Sequence, residues 1–125
     1  GNKVLRQSIY GAGAASFWQG VCHSWQGTEL GAALLQQSLP ADANAKTLVL
    51  ELFRQLLPQE PVYWFIDDLH LLESSEALDF LFALSKAGFA DLHLLLVSRG
   101  QIFDSSRLLE LGRRAFCLDK HDLAL

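Results

Sequence analysis

The segment Val62–Asp68 constrains the fold more than any other part of this sequence. Five apolar residues, Val-Tyr-Trp-Phe-Ile, lead directly into Asp67 and Asp68. A continuous apolar run of this length is typical of a strand that is buried in a parallel sheet. In open α/β sheets ligands bind at the carboxyl ends of such strands. The two carboxylates are therefore predicted to lie in a polar crevice at the edge of the sheet.

The rest of the chain alternates between the patterns of strands and of helices. Four segments have the composition of strands: 4–10, 62–66, 92–97 and 115–118. Five segments have the periodicity of helices: 17–26, 30–39, 47–57, 75–87 and 105–111. A further helix is expected to begin near Asp119. This alternation predicts an α/β fold with a mostly parallel sheet and helices on both faces.

Helix boundaries follow from local signals. Ser16 is expected to cap the first helix, and Asp42 or Asn44 the helix at 47–57. Ser74 or Ser75 is expected to cap the helix that follows the two acids, and Gly88 to end it.

Composition excludes several classes of protein. A chain of 125 residues can form one domain, and its net charge of −4 gives no reason to expect nucleic-acid binding by this segment. No apolar run approaches the ~18 residues that span a bilayer. Cys22 and Cys117 lie far apart within apolar patterns, which favours buried thiols in a reducing, cytoplasmic setting. No Cys/His spacing suits zinc.

The acidic pair is the first candidate site. Two carboxylates at a buried strand end are costly unless a cation, a water network or a phosphate site compensates them. We interpret Asp67 as a Mg²⁺ ligand, directly or through water, and Asp68 as the group that orients or deprotonates an attacking water. The alternative is a pair of exposed acids that open the next loop or cap a helix.

Arg99 and His70 are the second candidates. Arg99 closes the apolar run 92–97 after Ser98, so a neighbouring strand would bring its guanidinium beside the acids. An arginine there could contact a γ-phosphate, although a salt bridge to Asp67 or Asp68 without any ligand fits equally well. His70 lies just past the acids and could contact a nucleotide, or it could belong to the loop structure alone.

A phosphate-binding loop is missing from the sequence. Nucleotide hydrolases that hold Mg²⁺ at an acidic strand end bind the phosphates with a loop of the spacing G-x-x-x-x-G-K-[ST]. Residues 40–47, Pro-Ala-Asp-Ala-Asn-Ala-Lys-Thr, approach that spacing but lack both glycines, and no lysine follows Gly11 and Gly13 as the motif requires. A helix cap at Asp42 or Asn44 explains residues 40–47 better than a phosphate site does.

Together these motifs resemble the ATPase domain of the large ATP-binding regulators of the LuxR type, which belong to the signal-transducing (STAND) class of P-loop NTPases. Residues 62–72 are similar to the Asp-Asp-x-His Walker B element of that family, and 94–99 to its sensor strand, which ends in Ser-Arg. Residues 108–112 followed by 115–122 resemble its next helix, strand and acidic helix start. The Ser-Phe-Trp helix near the start is a weaker match.

The resemblance implies a function and residue roles. Asp67 would act on Mg²⁺, Asp68 on the hydrolytic water, and Arg99 and His70 on ATP. In the family, ATP and a small-molecule inducer drive self-association, and a separate C-terminal domain then binds DNA to regulate transcription in bacteria. The chain would be a single partial domain, 1–125, cut from a longer protein and inactive alone. The competing hypothesis is a degenerate, non-hydrolysing α/β module that binds an effector or a partner protein.

The resemblance also predicts a gap in the sheet. In this class the Walker A strand lies in the middle, between the sensor strand and the last strand. Its absence from the chain would leave two open strand edges, and such edges pair with other chains. The sequence therefore predicts a partial P-loop-like three-layer fold without its central strand, and rearrangement or dimerisation of the isolated chain.

Overall fold

The fold was analysed in a computed structural model, which describes residues 2–119. The elements in chain order are β1 (Lys3–Ser8), α1 (Ala14–Ser24), α2 (Glu29–Leu35), α3 (Ala43–Leu56), β2 (Val62–Asp67), a 3₁₀ turn (Leu69–Leu71), α4 (Ser75–Ala87), β3 (Leu92–Ser98), α5 (Ser105–Leu111) and β4 (Phe116–Asp119). The helix expected to begin near Asp119 lies outside the described residues.

All four strands form one parallel sheet in the order β1-β2-β3-β4. The register aligns Leu5 with Trp64 and Trp64 with Leu94. Each connection from one strand to the next contains at least one helix, as parallel pairing requires. The predicted α/β fold class is confirmed.

The two faces of the sheet differ in burial. A consecutive strand order with right-handed crossovers places all three connections on the same face. On that face Trp64 and Leu94 are buried, whereas on the other face Val4 is 52% and Phe116 is 55% exposed. Within residues 2–119 the helices therefore form a layer on one face, and the second helical layer expected from the sequence is not seen. We call the other side the open face; by register it carries Val4, Arg6, Tyr63, Phe65, His93, Leu95, Val97, Phe116 and Leu118.

Aromatic side chains form the centre of the core. Trp25 lies edge-on to Phe53 and to Trp64, with ring centroids 5.9 and 5.5 Å apart. Phe53 also lies 6.4 Å from Phe80 of α4. This cluster joins the C-cap residue of α1 to α3, α4 and β2. Such pairs add about 0.5–1.5 kcal/mol each to the burial of their area. Trp18, Trp25 and Phe53 are buried in the core, and Phe82 packs against the core while only half-buried.

Most of the predicted caps are confirmed. The Asp42 side chain accepts a hydrogen bond from the backbone N–H of Ala45, and Ser74 accepts one from Ala77. Gly88 ends α4 in the left-handed conformation, with φ of 63°. The predicted cap at Ser16 is wrong, because α1 begins three residues earlier than predicted, at Ala14, with Gly13 in the cap position.

The predicted gap in the sheet is absent. β3 pairs directly with β4, and Leu95, Leu96, Val97 and Ser98 align with Phe116, Cys117, Leu118 and Asp119. β3 and β4 leave no space between them for the expected central strand, so the predicted rearrangement or dimerisation has no support in this structure. A closed sheet within one chain counts against dimerisation through that gap, because no pair of unpaired edges remains there.

The cysteines and helices complete the comparison with the sequence. Cys22 is buried as predicted, but Cys117 is exposed, because β4 lies at the edge of the sheet. Among the described residues no helix combines the length and the apolar composition that crossing a lipid bilayer demands.

Candidate functional site

The predicted site residues meet at the carboxyl edge of the sheet. β2 ends at Asp67 and β3 ends at Ser98, and the parallel register that pairs Ile66 with Leu96 brings these two strand ends side by side. β1 ends at the same edge, where Ile9 donates its backbone N–H to the carbonyl of Asp67 at 3.0 Å. The strand ends thus form one rim from which the following residues project.

Asp68 has an unusual backbone. It is the only residue other than glycine with a positive φ among residues 2–119, at φ 62° and ψ 34°. The Asp67 side chain accepts the backbone N–H of Asp68 at 2.7 Å through Oδ1, and the carbonyl of Asp68 accepts the N–H of Leu71 at 2.9 Å. Non-glycine residues in this conformation carry strain that concentrates at functional sites.

The turn after Asp68 positions His70. Leu69 and Leu72 are buried and anchor the 3₁₀ turn to the core, whereas His70 between them is exposed. His70 Nδ1 accepts the backbone N–H of Arg99 at 3.2 Å. An accepting Nδ1 places the imidazole proton on Nε2, which leaves that N–H directed away from Arg99. The structure therefore brings two predicted site residues, His70 and Arg99, into contact.

A cavity of about 280 Å³ lies beside this contact. His70 and Arg99 line it, together with Gly100, Gln101 and Ile102 of the loop after β3. Asp67 and Asp68 do not line it. The predicted residues thus share one edge of the sheet, but of the four only His70 and Arg99 line this cavity.

The loop after β3 is fixed by a buried hydroxyl. Ser98 is 2% exposed, and its Oγ donates a hydrogen bond to the carbonyl of Gly100. Gly100 has φ of 141°, a conformation that side chains rarely adopt. The sequence analysis named Ser98 only as part of Ser-Arg, and its role in shaping this loop depends on contacts that spacing does not reveal.

Asp67 and Asp68 carry the oxygen ligands that a hydrated magnesium ion prefers, but they do not form a site in which protein side chains surround the ion. No group of three or more His, Cys, Asp or Glu side chains within the described part of the chain is placed to hold a metal ion. Mg²⁺ is commonly bound by one or two carboxylates, with waters and phosphate oxygens as its other ligands. Asp67 and Asp68 could supply the carboxylate part, and a nucleotide would have to supply the rest.

Gln7 is a polar residue that the sequence analysis missed. It lies on the helix side of β1 and is 5% exposed, with Nε2 donating to the carbonyl of Phe17 at 3.2 Å. Its Oε1 atom is buried and has no partner in the described structure. The available signal was the alternation Leu5, Gln7, Ile9, which places a polar side chain at an inward position.

Known proteins supply no further assignment. Comparisons with protein-family models, with curated proteins and with solved structures find no match. The argument about function therefore depends on the residues and geometry described above.

Proposed function

We propose that this chain is part of a signalling ATPase domain of a bacterial LuxR-type transcriptional regulator, to which it contributes the Walker B and sensor residues. The observation that carries the proposal is the arrangement at the carboxyl edge of the sheet. Asp67 and Asp68 end β2, and Ser98 and Arg99 end the adjacent parallel strand. This is the edge at which ligands bind in open α/β sheets.

Each residue has a role in this proposal. The Asp67 carboxylate would hold Mg²⁺, directly or through water, and Asp68 would orient the hydrolytic water or accept its proton. Magnesium would neutralise charge on the phosphate oxygens when it is bound. Arg99 would contact the γ-phosphate as a sensor. His70, which accepts the Arg99 backbone N–H, would link the sensor to the acidic turn.

The left-handed backbone at Asp68 supports a functional role for its carboxylate. Glycine adopts φ near 60° without cost, whereas a residue with a side chain does not. At φ of 62° a glycine would relieve the backbone strain, yet the chain carries Asp at position 68. A requirement for the carboxylate explains this choice, although an acid of this type also tolerates the left-handed region better than most residues.

The rest of the proposal concerns partners. A small-molecule inducer and ATP would control self-association of the longer protein, and DNA would be bound by a separate C-terminal domain. The protein would act in the cytoplasm, where ATP and promoters are found. The phosphate loop would lie upstream of residue 1, because no G-x-x-x-x-G-K-[ST] segment occurs in the sequence.

One observation favours a second candidate, a non-hydrolysing module that binds an effector or partner. β3 and β4 pair with each other directly, from Leu95 opposite Phe116 to Ser98 opposite Asp119. The Walker A strand of the first proposal would have to separate them in order to occupy its place between them. A chain whose sheet is complete without that strand would bind partners through its surface instead.

Calorimetry with Mg²⁺ and ATP separates the two candidates. The titration uses the 125-residue chain and a version extended upstream along its own reading frame. We expect binding by the extended protein alone. Absence of binding by both would refute the ATPase proposal and favour the partner module. Binding by the shorter chain would refute the assignment of the phosphate contacts to an upstream loop.

A substitution then tests the role of Asp68. In the extended protein, Asp68→Asn should lower ATP hydrolysis by at least about 100-fold, the lower range for loss of a general base, with little change in ATP affinity. Asp91→Asn is a matched control, because Asp91 is an exposed acid that immediately precedes β3, at the opposite end of the strand from Arg99. Unchanged hydrolysis in Asp68→Asn would remove Asp68 from the mechanism.

A further inference from the structure

β1 is an edge strand with an unprotected side. The backbone N–H groups of Lys3 and Ile9 bond to carbonyls of the β2 side, at 2.9 and 3.0 Å. Because successive residues of a strand point their N–H and C=O groups in opposite directions, the groups of Val4, Arg6 and Ser8 point outward. No strand pairs with that side among residues 2–119. Such an edge is a template for another extended segment.

A groove accompanies this edge. A cavity of about 420 Å³ lies between β1 and α1. Its lining includes Arg6, Ser8 and Tyr10 on the strand side and Gln19, His23 and Ser24 on the helix side. We call this the edge groove. An extended peptide beside β1 would lie with one side over the strand and the other along α1, which is the arrangement of domains that bind peptides by strand addition.

A buried acceptor lines the same groove. Gln7 is 5% exposed and contributes to the lining, and its Oε1 atom has no partner in the described structure. A buried acceptor without a hydrogen bond is costly, so a donor that reached it from a bound segment would be favoured. Gln7 thus provides an observation independent of the open strand edge that points to a ligand in the groove.

The charge of the groove selects the ligand. Arg6 and His23 line it and no carboxylate does, although the whole chain has a net charge of −4. The Arg6 guanidinium lies over the Phe65 ring, 4.9 Å from its centroid, on the open face beside the free edge. A strand added to β1 would place every second side chain on that face, where an acidic residue could pair with Arg6.

A second copy of the chain fits less well, because β1 carries Lys3 and Arg6 and no carboxylate that could pair with them in any register. Two β1 strands paired antiparallel across a two-fold axis at Arg6 would place Arg6 opposite the Arg6 of the other copy. Like charges directly opposite each other destabilise a strand pair. An acidic segment has the complementary charge instead.

We propose that the edge groove binds an extended acidic segment of a partner polypeptide, which adds to the sheet as a fifth strand beside β1. Backbone hydrogen bonds to Val4, Arg6 and Ser8 would supply affinity. Acidic side chains of the segment would pair with Arg6 on the open face, and its other side chains would be small and face α1, with a hydroxyl donor for Gln7 Oε1 among them. The edge groove runs along the outward side of β1 and meets the Asp67–Arg99 rim only at Ser8, and the inference requires no ATPase activity.

The test is an NMR titration of the ¹⁵N-labelled 125-residue chain with a blocked peptide, Thr-Glu-Val-Glu-Val-Glu-Thr. Its glutamates occupy one face of a strand and its valines the other. We expect saturable shifts of the Val4, Arg6 and Ser8 amides. The same peptide with alternate N-methylated amides should produce none. No shifts at millimolar peptide, or equal shifts with the N-methylated peptide, would overturn the proposal.

Variants separate strand addition from general charge attraction. Ser8→Pro removes an outward N–H and should abolish binding, whereas its control, Ser8→Ala, keeps the N–H and should bind normally. Arg6→Glu should weaken binding about threefold to tenfold, because the charge pair is lost and a repulsive like-charge pair replaces it. The charge-reversed peptide, with Lys for Glu, should then bind Arg6→Glu better than the original chain does. Equal binding of both peptides to both chains would refute the charge assignment.

Sedimentation of the unliganded chain tests the second copy directly. We expect a monomer whose state does not change in Ser8→Pro. A dimer that Ser8→Pro dissociates would show that the β1 edge pairs with itself and would overturn the assignment to an acidic partner.

Discussion

Substitutions at Asp68 test whether the fold enforces its left-handed backbone. The left-handed conformation costs a residue with a Cβ about 1–2 kcal/mol. Glycine avoids that cost, but the greater entropy of the unfolded chain lowers the stability of a glycine variant by about 0.5–1 kcal/mol relative to alanine. At φ of 62° the balance favours glycine. We therefore expect Asp68→Gly to be more stable than Asp68→Ala by about 1 kcal/mol.

A matched pair of substitutions gives the opposite order elsewhere. Gln55 is an exposed residue of α3, where the backbone is helical and glycine has no advantage. Gln55→Gly should be less stable than Gln55→Ala by about 1 kcal/mol. The reversal of order between the two positions, roughly 2 kcal/mol in total, isolates the backbone effect from the loss of the original side chains.

Urea denaturation followed by tryptophan fluorescence measures these differences. Trp25 and Trp64 are both fully buried, so unfolding will change their emission strongly. If Asp68→Ala is as stable as Asp68→Gly, the left-handed backbone at Asp68 is not enforced by the fold and the argument from strain fails. If the glycine variant is also more stable than the original chain, stability does not explain the presence of an acid at this position.

Four further predictions concern the helical layer and the two cysteines. Gly31→Ala should lower the free energy of unfolding by about 1–3 kcal/mol or more, because a Cβ there would lie 2.1 Å from the carbonyl oxygen of Trp25. Gly13→Ser, at an N-cap with open space around it, should be neutral or stabilising in the same urea titration. Burial raises the pKa of the Cys22 thiol above its ordinary value of 9.0. As pH rises, the unfolded chain therefore loses this proton before the folded chain does. The free energy of unfolding should fall above pH 9.0, and this fall should be smaller in Cys22→Ala than in the original chain. Burial also raises the pKa of the Cys117 thiol, but Cys117 is exposed, so in thiol titration it should react before Cys22, which should react only on unfolding; equal rates would contradict the buried position of Cys22.

The candidate site was predictable in its position along the chain but not in its arrangement. The apolar run into Asp67 and the run that ends at Ser98 place both strand ends at one edge of any parallel sheet that pairs them. The contact between His70 and the Arg99 backbone was not predictable, because it depends on the path of a turn and a loop. The left-handed conformation of Asp68 left no signal, since the favoured residue for it is glycine.

The sequence by itself determined the type and the approximate limits of the elements. Hydrophobic period and caps are local properties, and the Asp42 and Ser74 caps and the Gly88 helix end follow from them. Only the tertiary structure decided that β3 pairs with β4, that the described helices cover one face, and that β1 and β4 are edges with Cys117 exposed. These features depend on which distant segments meet, because pairing energy is shared between two strands and neither strand alone specifies its neighbour.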